Sequence, residues 1–95
     1  MHTLAQLASG ELKGIKRLAI SEGLTEFPEA IFTLADSLEV LDLSGNKLCQ
    51  LPSNFSCLTK LKLLFLTGNQ FETIPEVIAA CPHLEMISFK SNQLK

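Results

Sequence analysis

The chain has 95 residues, which is one small domain; Leu supplies 18 of them, Trp and Tyr are absent, and the formal net charge is -2. An aliphatic, near-neutral chain of this kind excludes a basic nucleic-acid surface, and no polybasic or amphipathic stretch points to a membrane surface. The longest nearly apolar run, around LKLLFL, is far short of the about 20 residues that cross a bilayer.

In chain order, MHTLAQLASG carries no positive region followed by a long apolar run, so no secretory signal is expected. Three cysteines, Cys49, Cys57 and Cys81, then fit reduced thiols in a cytoplasmic protein better than a disulfide framework. Residues 3–13, TLAQLASGELK, space Leu4, Leu7 and Ala8 as a short helix, with Thr3 as its N-cap and Gly10 as its stop. Residues 1–14 are expected to cap the open core of the first coil, with His2 in a mobile terminus.

From residue 15 the chain repeats itself. LEVLDLSGNKLCQLPSNFSCLTK (38–60) is followed at once by LKLLFLTGNQFETIPEVIAACPH (61–83), and both put Leu, Asn and Pro in the same slots. Upstream, 15–37 is a degenerate copy that lacks one residue before Pro28 and gains one after it, with Gly23 where Asn is due; downstream, 84–95 is half a unit. A fixed period in this range predicts a solenoid. The xLxL segments alternate with period two and read as strands around Arg17–Ile20, Val40–Leu43, Leu63–Leu66 and Met86–Phe89. Equal direction and spacing make them parallel. Return paths this short hold an extended segment and a helical turn, which Pro52 and Pro75 open.

The inward residues then stack in columns: Leu38, Leu61 and Leu84; Leu41, Leu64 and Ile87; Leu43, Leu66 and Phe89; Leu48, Phe71 and Leu94; Leu51 and Ile74. Phe55 with Ile78 and Leu58 with Cys81 close the back, so Cys81 is read as core filler. Each unit buries the apolar residues of its neighbour. Asn46, Asn69 and Asn92 lie just after the strands, where the chain turns inside the coil. An inward Asn carries both a donor and an acceptor, so a structural ladder is expected of these residues, each bonding its own turn and the adjacent coil.

The 23-residue pattern of LEVLDLSGNKLCQLPSNFSCLTK, with LP after the Asn turn, resembles the leucine-rich repeat family, and the likeness extends over residues 15–95. The resemblance implies an α/β solenoid: a right-handed coil with a short parallel sheet of four strands on its concave side and loops and short helical turns on its convex side. It also implies protein-binding work. The opening, MHTLAQLASGELKGIKRLAISEGLTEFPEAIF, is similar to the N-terminus of bacterial cytoplasmic repeat proteins in which a protein-kinase-like domain comes after the repeats. No kinase motif occurs in these residues.

No constellation for catalysis is present in the sequence. His2 and His83 have no Cys or His at ligand spacing, the glycine turns match no phosphate loop, and the carboxylates are scattered. No enzyme, metal or cofactor is expected. The strand residues that the core does not dictate form three outward columns: Arg17, Val40, Leu63 and Met86; Ala19, Asp42, Phe65 and Ser88; Ser21, Ser44, Thr67 and Lys90. Val40, Leu63, Phe65 and Met86 make an apolar patch, and such a patch marks an interaction surface. The candidate partner-binding residues are these four, with Asp42 and Lys90 setting specificity, and the expected ligand is a protein or peptide. Two further expectations concern the C-terminus, where the chain stops at NQLK halfway through a unit. The first is that the chain is a piece of a longer repeat protein, the recognition segment of a signalling enzyme. The second is that the isolated chain self-associates through its uncapped last strand.

Overall fold

The structure, a computed structural model describing residues 1–95, begins with a fully capped helix. Helix α1 spans Leu4–Ser9. The Thr3 Oγ1 accepts the Gln6 N–H at 3.1 Å, and the Gln6 Oε1 accepts the Thr3 N–H at 3.1 Å. That reciprocal pair satisfies donors that a helix start otherwise leaves unpaired. Gly10 ends the helix in the left-handed region at φ 84, where a residue without Cβ carries no steric penalty. Leu7 and Leu12 are buried in the shared core, so this segment packs against the first coil.

Beyond it lie four three-residue strands: β1 (Arg17–Ala19), β2 (Val40–Asp42), β3 (Leu63–Phe65) and β4 (Met86–Ser88). They form one parallel sheet in the order β1-β2-β3-β4. Register is fixed by the repeat: Leu18, Leu41, Leu64 and Ile87 lie side by side, flanked by the columns from Arg17 and from Ala19. Each strand is one residue shorter than its sequence span, because the chain turns away at Ile20, Leu43, Leu66 and Phe89 toward the Asn corner.

The return paths are 3-10 helices at Glu29–Leu34, Phe55–Cys57 and Glu76–Ala80. Pro28, Pro52 and Pro75 each offer a carbonyl to the amide three residues on, in Ile31, Phe55 and Ile78. The residue added after Pro28 is absorbed by the longest of these helices, which closes with Leu38 N–H donating to Leu34 O at 2.9 Å.

Between sheet and return paths lies one core. Leu38, Leu41, Leu43, Leu48, Phe55, Leu58, Leu61, Leu64, Leu66 and Phe71 are all fully buried. Phe27 packs edge-on against Phe55, and Phe71 against Phe89, with ring centroids 5.6 and 5.3 Å apart; such edge-to-face pairs add to simple burial. Burial falls toward the C-terminal end. Leu84, Ile87 and Phe89 are half-buried, and Leu94 is 45% exposed. Ile74, expected to face inward beside Leu51, is 53% exposed. The position one unit on from Ile74 lies past Lys95, so only Leu51 can shield it.

Candidate functional site

The open face of the sheet is built by the two outward columns. Strand pairing sets Arg17, Val40, Leu63 and Met86 in one row and Ala19, Asp42, Phe65 and Ser88 in the next. Parallel strands lie about 4.8 Å apart, so Leu63 stands directly between Val40 and Met86, and the four apolar candidates are contiguous. Val40, Leu63 and Phe65 are half-buried and Met86 is 46% exposed. Neighbouring side chains on both strands shade the middle of the row, and its two end members, Arg17 and Met86, are the exposed ones.

The polar candidates differ from each other. Asp42 is half-buried, and its Oδ1 accepts the Ser44 N–H at 2.9 Å, so one carboxylate oxygen already holds the turn after β2. Lys90 is exposed at the far end of the third row and forms no ion pair within the chain. A shallow depression of about 170 Å³ opens on the same face, lined by His2, Arg17, Ala19, Val40, Asp42 and Phe65. It brings three of the candidate residues together with Arg17, their neighbour in the outward columns, and with His2, which the sequence did not connect to them. A larger depression of about 400 Å³ lies among the return paths, lined by residues such as Thr25, Glu26, Gln50 and Ser53, and it holds no nucleophile paired with a base.

His2 does not sit in a loose terminus. Its backbone N–H donates to Ala19 O at 2.7 Å, and its Nδ1 accepts the Ala19 N–H at 3.2 Å. The chain start thereby occupies the outer edge of β1. Leu4 N–H, donating to the Glu22 carboxylate at 2.8 Å, adds a second tie between the helix and the first coil. Nothing in the spacing of MHTL announces these bonds; they depend on β1 being an edge.

The Asn residues sit behind the face and hold its shape. Asn46 Nδ2 donates to Ile20 O and Leu43 O, Asn69 Nδ2 to Leu43 O and Leu66 O, and Asn92 Nδ2 to Leu66 O and Phe89 O, all between 2.8 and 3.1 Å. Their Oδ1 atoms accept amides of the preceding coil: Glu22 and Leu24 for Asn46, Leu48 for Asn69, Phe71 for Asn92, each at 3.0 Å. Consecutive asparagines share the carbonyls of Leu43 and Leu66, so the ladder is continuous. In the first coil Gly23 replaces Asn, and Asn46 accepts two amides there where Asn69 accepts one.

No cysteine is disulfide-bonded; Cys49 and Cys57 are exposed and Cys81 is buried. Cys81 fills the slot of Leu58, and burial pushes its thiol above the ordinary range. A buried thiol held protonated is packing, not a nucleophile. His83 is exposed on its turn. No group of His, Cys, Asp and Glu is arranged to hold a metal ion, and no helix is long and apolar enough to cross a membrane.

The comparisons agree with this geometry. A family profile described as leucine rich repeat matches residues 13–71. Nine chains of solved structure match. Among them is the leucine-rich repeat ectodomain of the receptor kinase SOBIR1 from Arabidopsis thaliana, with a TM-score of 0.59 and 24% identity, covering 99% of this chain and 70% of that one. At that identity the likeness is one of fold. Among curated proteins none matches. The stacked coils, the Asn ladder and a profile match over more than half of its length make this chain a member of the leucine-rich repeat family, whose domains act generally in protein–protein interaction.

Proposed function

We propose that this chain is a non-catalytic interaction module that takes a protein or peptide segment on the concave face of its sheet. The observation that carries this reading is the contiguous apolar row of Val40, Leu63 and Met86 with Phe65 beside it, in register on three adjacent strands. Apolar side chains on a surface the core does not use mark interaction sites, and Phe and Met are adaptable anchors. Lys90 and the free oxygen of Asp42 supply charge of both signs at the margins, which sets the orientation of a partner more than its affinity. The reading places the protein in the cytoplasm, where the thiols of Cys49, Cys57 and Cys81 stay reduced. It invokes no cofactor and no metal.

Four strands span only about 15 Å, so this face suits an extended segment better than a whole globular partner, whose footprint is about 800 Å². Peptides selected on the chain from a random display library test the reading. Phe65→Asp is expected to weaken the selected peptides at least about tenfold while leaving the circular dichroism spectrum unchanged, because binding would then desolvate a charge beside the apolar row. Undiminished affinity in that variant places the site elsewhere.

A second reading is favoured by the exposure of Ile74 and Leu94, inward positions of the repeat that a further coil would cover. In it the chain is the recognition segment of a longer bacterial signalling protein with a kinase-like domain downstream. Genomic sequence past Lys95 decides it: more repeats and kinase motifs support it, and a stop codon rejects it.

A further inference from the structure

The two edges of the sheet are unlike. In each coil one amide faces the next coil: Ile20 N–H donates to Asp42 O, Leu43 N–H to Phe65 O and Leu66 N–H to Ser88 O, at 2.9 to 3.1 Å. The next member of that column is Phe89, and its N–H has no partner in the chain. Likewise Glu39 O accepts the amides of Lys62 and Leu63, and Lys62 O accepts those of Glu85 and Met86, but Glu85 O accepts none. Strand alternation points the N–H and C=O of Ile87 outward between them. At the other edge, His2 already bonds both backbone groups of Ala19, and helix α1 covers the core.

Charge divides the same way. One column alternates in sign along the coils: Lys16, Glu39, Lys62, Glu85. Glu39 meets Lys62 at 3.9 Å. Glu85, last in the column, has no cation, and Lys90, farther along the same edge, has no anion.

We infer that β4 of this 95-residue chain pairs antiparallel with β4 of a second copy, with Ile87 on the two-fold axis. In that register the two Ile87 residues exchange their N–H and C=O groups, and Phe89 N–H of each copy donates to Glu85 O of the other. Lys90 stands across from Leu84 of the second copy, one position from its Glu85, so both unpaired charges gain a partner. Inward Ile87 of one copy meets Ile87 of the other, and Leu84 and Phe89 lie on either side of it along the seam at the open end of the core. The outward rows become one face across eight strands. Association stops at two copies, because the β1 edge is occupied and head-to-tail growth is blocked.

The test is sedimentation equilibrium of the 95-residue chain from micromolar to millimolar concentration, with circular dichroism as the check of folding. A monomer–dimer equilibrium with no larger species is expected. Glu85→Lys and Lys90→Glu each replace an attractive contact by a repulsive one at both symmetric positions, and each should weaken the dimer about 2- to 30-fold. The double variant Glu85→Lys, Lys90→Glu restores opposite charges and should recover most of that loss. Hydrogen exchange of the Phe89 amide should slow as concentration rises. A chain that stays monomeric throughout, one that grows past the dimer, or a double variant as weak as the single ones would overturn the inference.

Discussion

The side-chain Oδ1 of Asn69 accepts the backbone N–H of Leu48 at 3.0 Å, across the gap between two successive coils. Both groups are buried. The bond lies behind the sheet, on the opposite side of β3 from Phe65, and it illustrates how the chain divides its labour. Repeated residues hold coil to coil, which leaves the outward strand positions free to vary.

Removing a member of the ladder therefore has a cost that depends on what it orphans. Asn69→Ala leaves Leu48 N–H without a partner, while Leu43 O and Leu66 O keep Asn46 and Asn92. A loss of about 1–3 kcal/mol is expected. Asn46→Ala orphans Glu22 N–H, Leu24 N–H and Ile20 O together and should cost roughly twice as much. Asn92, half-buried, should cost least. Urea unfolding of the three variants checks the order.

Core truncations should separate in the same way. Leu64→Ala opens a cavity at a fully buried site and is expected to cost about 2–5 kcal/mol. Ile74→Ala, at a side chain more than half exposed, should cost less than about 1 kcal/mol. Equal losses in urea would mean that the last coil is more closed than its exposures imply.

Gly45, Gly68 and Ser91 occupy one column, and all three have positive φ, of 75, 71 and 58. A serine held in the left-handed region is strained by about 1–2 kcal/mol. Ser91→Gly is thus expected to raise stability by about 1 kcal/mol, less the entropy that glycine gains in the unfolded chain. Gly68→Ala should lower it by a similar amount. Thermal melts of the two variants should move in opposite directions.

Cys81 gives a prediction in pH. Its folded thiol holds its proton more firmly than the ordinary value of 9.0, because burial disfavours the thiolate. The unfolded chain then binds fewer protons above that value. The contribution is present in full below about pH 9 and is lost as pH rises through the folded value. Wild type should lose stability as pH rises above about 9 more steeply than Cys81→Ala. At neutral pH a thiol reagent should label Cys49 and Cys57 and reach Cys81 only on unfolding.

Much of this fold is legible in the residues because one constraint is written several times over. Leu41, Leu64 and Ile87 share a slot, and so do their neighbours, so the strand register comes from spacing alone. The Thr3 cap and Gly10 stop of α1 are local chemistry and equally readable. What escapes is whatever depends on the ends. Ile74 fits the inward column by pattern, yet a column shields a residue only where a neighbour stands on each side. His2 bonds Ala19 because β1 has a vacant edge, which no periodicity records. Ser91 was open to reading, since it holds the place of Gly45 and Gly68, but its sequence neighbours Lys90 and Asn92 give no sign of strain. The apolar row on the open face is written in the sequence, while its shading by adjacent strands appears only in three dimensions.

The central claim is that the concave strands, and not the return paths, carry the binding. The most direct measurement is the NMR footprint of a library-selected peptide on the isotope-labelled chain. Resonances of Val40, Leu63, Phe65 and Met86 should shift together with Lys90, while those of Thr25, Glu29 and Ser53 on the return paths stay still. Shifts confined to the return paths, with the Met86 methyl unmoved, would contradict the account.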